Sequence, residues 1–467
     1  MCYNKLTIEQ EYMFFRILKL NDGGSMENKA ALIIALCLLA TLLSGCTFTS
    51  IGIEGVLYAP KLSKEQTEIH DALIKSVGKN IQLKYPNNGE KRSAFVICNL
   101  DDEPSDEAIV FYKRINTSTS ESTIRINVLD QINGKWQSVY DSHQAGEEVD
   151  KVIVSPIGNG KQIYLSVGFG ITNQTDKTMQ VYKYSKGVLE NIHTETYSIM
   201  DILDLDNDKY NEIISISKPS GNEPPIFNMC KFYVQGDRVT LNQNSVKMRN
   251  DSVSFANMEN GMLDDNTKAL YIDSVRGDGN IQTEVIYFKD NKLENPFIDN
   301  TFAEKTVRQA GYFSKDIDND GNIEIPTVTP FTGYIGADPL KEIVYNTAWK
   351  TFDINGTLSN KYNSYYNINK SYAFVILDRW AGKVTIKTDT ISDEIIFYKY
   401  DGELKDDMIE LMRIKVSTHQ KTSEYISKGY YLIKSQGQLD YLIKQVNSKN
   451  KDFLMTDSEI NDCFHIL

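Results

Sequence analysis

The sequence predicts a mainly β chain, a degenerate β-propeller of about five blades followed by a small α+β domain. Three observations predict it. An apolar run, an acidic loop, then Glu or Gln leading into a second apolar run recurs at Ala94–Tyr112, Val152–Phe169, Ile199–Ile216, Leu270–Phe288 and Tyr312–Val328. These phrases are followed by hairpin signals, as at Gly134-Lys135-Trp136, Val181–Leu189, Phe288–Leu293 and Phe352–Leu358. After Asn367 the phrase stops and a different pattern begins. A recurring multi-strand unit of about 50 residues is the mark of blades, and a closed ring would remove the exposed edges of so many short strands. A β-sandwich with long loops is the alternative.

Residues 1–45 are read as a signal-peptide region. Lys29 is followed by an apolar run from Ala30 to Leu43, and then by Leu43-Ser44-Gly45-Cys46. The run is shorter than the roughly 20 apolar residues that a membrane span needs. Two small residues before a cysteine make a lipobox, with Cys46 as the lipidation site. Met26-Glu27-Asn28-Lys29 reads as an ordinary signal-peptide start, so Met26 is expected to be the true first residue. The expected address is extracytoplasmic, lipid-anchored to the outer face of the cell membrane, because acyl chains provide a firm attachment.

Segments 46–62 read as a tether and 63–93 as an N-terminal helix and strand. Ser63 and Gln66 have capping-box spacing, Ile69, Leu73 and Val77 share one helix face, and Gly78 is a fitting stop. The propeller is placed at 94–367 and the α+β domain at 368–467. Within the latter, Tyr372–Leu377, Lys383–Lys387, Glu394–Tyr400 and Ile409–Val416 read as strands. Leu439, Leu442, Ile443 and Val446 are spaced as on a helix, and Thr456 and Glu459 precede a short C-terminal helix.

The chain has 467 residues and a formal net charge of −13. That balance argues against nucleic acid and against a polybasic grip on lipid. Cys98, Cys230 and Cys463 follow the lipobox, far apart and odd in number, so no disulfide scaffold is expected. Cys98 reads as a small buried apolar residue.

The acidic loops carry the clearest chemistry. Asp316, Asp318, Asp320, Asn322 and Glu324 present oxygens at alternate positions around Gly321, an arrangement suited to a hard cation. Asp204, Asp206, Asp208 and Glu212 repeat it. Asn99 to Glu107 is a third, more degraded version, interrupted by Pro104, and Asp273 to Glu284 has too few acids. None is an EF-hand, since the twelfth positions are Ser215 and Thr327. Asx-capped turns without metal are the alternative reading.

These loops resemble the calcium loops of FG-GAP/VCBS-type β-propeller repeats over roughly residues 94 to 367. The resemblance implies structural Ca²⁺ on Asp316, Asp318, Asp320, Asn322 and Glu324, and on Asp204, Asp206, Asp208 and Glu212. The loops depart from the family in one respect: only the 316–324 loop has the expected glycine. With Lys61–Gln66 and Leu83-Lys84-Tyr85-Pro86, the chain also looks like a group of Gram-positive lipoproteins that pair a degenerate propeller with a C-terminal α+β domain.

No catalytic signature accompanies this pattern. His70, His143, His193, His419 and His465 are scattered, and no Gly-x-Ser-x-Gly or P-loop occurs. Trp349 and Trp380 could stack on sugars but read as core. The sequence therefore predicts a chain that is not an enzyme, a membrane-anchored module binding a protein or glycan. The alternatives are an extracytoplasmic hydrolase of cell-wall or polysaccharide material, and an accessory subunit of an envelope assembly.

Overall fold

The computed structural model describes residues 62–467 apart from 102, 116–122, 145, 173, 219–222, 237, 338–341 and 447–450. The signal-peptide region, Cys46 and the tether lie outside the described residues. Gln66–Leu467 forms one compact unit, and it holds every sheet of the described residues. No helix among the described residues is long and apolar enough to cross a membrane.

The fold is mainly β, built of antiparallel sheets in chain order. The helix Lys64–Val77 buries Ile69 and Leu73, and Gly78 follows it at φ 91°. Ile81–Leu83 then joins the first sheet, with Phe95–Cys98, Glu107–Arg114, Arg125–Ile132 and Lys135–His143. Three four-stranded meanders follow. The second sheet is Glu148–Pro156, Ile163–Gly170, Lys177–Ser185 and Val188–Tyr197. The third is Ile199–Leu203, Glu212–Ser217, Ile226–Gln235 and Arg238–Lys247. The fourth is Ser252–Met262, Lys268–Arg276, Ile281–Lys289 and Lys292–Glu294.

The hairpin turns are the ones the sequence announces. Asn133-Gly134, Lys186-Gly187 and Asp290-Asn291 each place two successive residues at positive φ. Such a pair gives the turn whose twist matches the flanking strands.

Core layers sit between consecutive sheets. Val128 and Phe111 of the first sheet share a cluster with Leu165 and Tyr182 of the second. Tyr164 and Val181 meet Ile213 and Phe232 of the third, and Ile214 and Met229 meet Leu270 and Ile286 of the fourth. Alternation along each strand feeds one face to the preceding sheet and the other to the next. Gly158 marks one tight point, at φ 72°, where an added Cβ would lie 1.9 Å from the Phe232 carbonyl oxygen. Gly158→Ala is expected to cost about 2–4 kcal/mol, from left-handed strain plus overpacking, measured as lowered thermal and denaturant midpoints.

The fifth sheet is Ile325–Pro330, Tyr345–Phe352, Leu358–Asn367 and Tyr372–Val375, and the last strand, Phe464–Ile466, adds to its edge. The sixth is Val384–Asp389, Glu394–Lys399, Glu410–Thr418, Leu439–Gln445 and Tyr431–Gln436, in that spatial order. The C-terminal segment is therefore stitched into the preceding sheet, and one core holds Phe374 and Phe464 with Phe397, Ile414 and Ile443.

One expectation is corrected. Leu439–Gln445 is a central strand, not a helix, paired on both sides and burying Tyr441, Leu442 and Ile443. Three apolar residues in a row suit a strand covered on both faces, and helical spacing over so short a run does not discriminate. The helix of this region is His419–Ser427 instead. The short C-terminal helix, Asp457–Cys463, forms as expected with Thr456 and Glu459 completing a capping box.

Candidate functional site

Two loops with one geometry form the site. In the third sheet, the loop 204–211 joins Ile199–Leu203 to Glu212–Ser217. Asp204 Oδ1 accepts from the Asp208 amide at 3.1 Å and its Oδ2 from the Lys209 amide at 3.2 Å. Glu212 Oε2 accepts from the Leu205 amide at 2.9 Å. The 316–324 loop repeats each bond. Asp316 accepts from the Asp320 and Gly321 amides at 3.2 and 2.9 Å, and Glu324 Oε2 from the Ile317 amide at 3.0 Å. Asn207 and Asn319 both take positive φ, at 60° and 61°. Lys209 stands at φ 77° where the second loop has Gly321 at 88°, so the missing glycine is tolerated without changing the turn.

The ligating oxygens converge. Asp204, Asp206, Asp208 and Glu212 each bring a carboxylate oxygen within 4.8 Å of the others, as do Asp316, Asp318 and Glu324. This donor chemistry, all carboxylate oxygen, fits a hard divalent cation. Asp320 lies beside the second group, and Asn322 turns its side-chain amide onto Asp320 Oδ1 at 3.0 Å. Glu212 and Glu324 are buried and Asp206 Oδ1, Glu212 Oε1 and Asp318 Oδ1 are buried without a hydrogen-bond partner.

Burial pushes the Glu212 and Glu324 carboxyls up to about 7. Burial also pushes Asp318 and Asp320 up, but hydrogen bonds outweigh it and hold both below the usual carboxylate range. The strongest of these come from the Lys361 ammonium. Asp208 behaves in the same way, with Lys231 in that role.

Those lysines are the residues that sequence reasoning missed. Lys231, in Ile226–Gln235, stands beside Glu212 because Ile213 pairs with Cys230. Its Nζ contacts Asp206, lies 2.5 Å from Asp208 Oδ2 and 3.5 Å from Glu212 Oε1. Lys361, in Leu358–Asn367, sits at a register shift and reaches Asp318, Asp320 and Glu324 at 2.7, 2.6 and 2.8 Å. Lys231 had a signal, a lone charge inside Met229-Cys230-Lys231-Phe232. Lys361 had none.

The third loop differs. Glu107 Oε2 accepts from the Leu100 amide at 2.6 Å, the bond the other two loops make seven residues upstream of their glutamates. Among the described residues no lysine reaches it. Glu107 Oε1 and the Tyr184 hydroxyl are both buried without a hydrogen-bond partner. Burial, then the nearby Asp101 and Asp130 charges, raise Glu107 to about 7.

Trp349 and Trp380 are core residues, 0% and 1% exposed. Cys230 and Cys463 are buried and Cys98 partly so, and burial pushes all three thiols up to about 12. They are not poised nucleophiles. His193 is held by Glu195 at 3.1 Å and His419 by Asp440 at 2.7 Å.

No protein-family model matches the chain and no curated protein matches it. Among solved structures it is similar to the exotype rhamnogalacturonan lyase YesX, at 10% identity and a TM-score of 0.27, over 67% of this chain and 61% of that one. It is also similar to rhamnogalacturonan lyase YesW, at 11% identity and a TM-score of 0.29, over 71% and 76%. The chain thus spans about three fifths of the YesX chain. The expectation that the chain is not an enzyme is withdrawn here, both of these solved structures being of lyases. A likeness of this size brings neither substrate nor reaction with it.

Proposed function

We propose that the chain is a protein lipid-anchored to the outer face of the cell membrane, a propeller of about five blades that binds a protein or glycan and whose acidic loops take Ca²⁺. The observation that carries this reading is the duplicated carboxylate loop. Two loops in different sheets bring three or four carboxylates within 4.8 Å of one another through the same backbone hydrogen bonds. The consecutive meanders with apolar layers between them support the propeller. The lipobox at Cys46 supports the anchor, and calcium outside a cell is plentiful enough to fill weak sites.

A second reading, action on polysaccharide material, draws on the sixth sheet. Glu394 and Glu410 share the guanidinium of Arg413, with bonds of 2.5 to 2.8 Å, beside Tyr430 and Lys415 in a cleft of about 970 Å³. The Arg413 guanidinium and the Tyr430 hydroxyl occupy all four carboxylate oxygens, so the cleft offers sugar hydroxyls a polar, charged wall rather than a free acid–base pair.

The test of the first reading is calcium titration of the full chain in detergent, by calorimetry and thermal unfolding. Binding at millimolar Ca²⁺ or below with a raised midpoint, lost in Asp206→Ala/Asp318→Ala, is expected. Identical behaviour in calcium and in chelator would refute the calcium assignment.

A further inference from the structure

We propose that Lys231 and Lys361 are the resident cations of the two acidic loops, each ammonium standing where a free cation would sit, so that Ca²⁺ enters only by displacing it. The inference rests on the cation-site reading above and adds the competitor built into the chain.

The placement of Lys231 is costly unless it serves the loop. The residue is 9% exposed and lies between Cys230 and Phe232, which are 1% and 0% exposed. A buried ammonium is tolerated only when paired and hydrogen-bonded. Its partners are the three carboxylates that the loop gathers, Asp206, Asp208 and Glu212. Lys361 makes the matching set with Asp318, Asp320 and Glu324.

The two lysines come from different places. Lys231 is beside its glutamate on the neighbouring strand, whereas Lys361 comes from Leu358–Asn367, which does not pair with the Ile325–Pro330 strand that follows Glu324. Two unrelated routes deliver an ammonium to the same point, so the point itself calls for positive charge. Even so, Asp206 Oδ1 and Asp318 Oδ1 stay without a hydrogen bond, and Glu212 Oε1 has only the Lys231 ammonium at 3.5 Å. A lysine has three donors in one direction, fewer than the six to eight contacts a calcium ion makes. At the Glu107 loop no lysine among the described residues reaches the glutamate, and there too a buried carboxylate oxygen has no hydrogen-bond partner.

Charge counting ranks the two sites. Around the first, Lys268 adds a second ammonium, 2.9 Å from Asp204 Oδ2, so all four carboxylates meet a lysine. Around the second, Asp316 is met by backbone amides and Lys361 alone faces the other three. The 316–324 loop keeps more negative charge and is the first to take calcium.

The experiment compares the full chain with Lys361→Met and Lys231→Met by calcium calorimetry and by thermal unfolding in chelator. Each variant is expected to lose thermal stability without metal, to regain it in millimolar Ca²⁺, and to bind Ca²⁺ about tenfold more tightly than the parent. Should Lys361→Met fail to fold in chelator, Lys361→Met/Asp320→Asn, with one carboxylate fewer, gives the same comparison. Variants that bind calcium no more tightly and lose no stability in chelator would overturn the proposal while leaving calcium binding intact. If neither parent nor variants bind calcium, yet both variants lose stability, the lysines stand as permanent cations and the calcium reading falls instead.

Discussion

Arg308→Met is expected to destabilise the protein by about 3–5 kcal/mol, the largest single-residue effect we foresee. Arg308 and Asp273 have fully buried side chains, and the guanidinium Nη2 lies 2.7 Å from Asp273 Oδ1. Its other nitrogens donate to the Tyr312 carbonyl at 2.6 Å, the Thr306 carbonyl at 2.9 Å and Thr283 Oγ1 at 2.8 Å. Asp273 is equally committed, accepting from the Ser314 amide at 2.6 Å and from the Thr283 hydroxyl at 2.7 Å. Methionine fills the space but leaves Asp273 charged in a dry interior. The penalty comes from that orphaned charge, so Arg308→Met/Asp273→Asn should recover a large part of the loss. Urea unfolding of the parent, both single variants and the double variant measures this. Simple additivity would sink the account.

The pair also has a place in the site. It anchors the segment from Arg308 to Ser314, which leads directly into the acidic loop at Asp316. Lys315 and Glu324 close that loop with mutual backbone bonds of 3.0 and 2.9 Å. Loosening the buried pair should therefore weaken the loop as well as the sheet.

Glu107→Gln is expected to stabilise the protein by about 3–4 kcal/mol at pH 8 and to change little at pH 4. Burial raises the Glu107 carboxyl to about 7, and the unfolded chain should titrate near the ordinary glutamate value of about 4.3. A raised carboxyl favours the protonated native state. Its contribution is fully present below the unfolded value and is lost as pH rises through about 7, so at pH 8 the ionised group costs the whole difference. Glutamine keeps an oxygen for the Leu100 amide, offers a donor near the unpartnered Tyr184 hydroxyl, and carries no charge. Buried Glu284, also raised to about 7, adds a similar slope in both proteins and cancels in the comparison. Equal stability of parent and variant at pH 8 would show that Glu107 is not an uncompensated buried charge.

Much of the architecture was legible because it is written in local chemistry. The alternation of apolar residues, the Asn133-Gly134 and Lys186-Gly187 turns and the Thr456–Glu459 cap act within a few residues, where spacing and conformational preference suffice. The acidic loops belong here too. Asp204 and Asp316 each bond to amides four and five residues on, so the loop folds from its own sequence. The lipobox expectation at Cys46 is of the same local kind.

Long-range placement decided the rest. Leu439–Gln445 has helical spacing, yet strands hydrogen-bonded along both of its edges make it β. The region from Asp273 to Glu284 has too few acids for a cation loop, and only the structure shows that its Asp273 answers to an arginine 35 residues away. Lys231 and Lys361 enter the carboxylate clusters only through strand register and a local register shift, which no spacing along the chain encodes. Local hydrogen bonding determined where negative charge would gather. Only the tertiary structure decided which cation meets it, because an electrostatic partner is chosen by distance in space and not by separation in sequence.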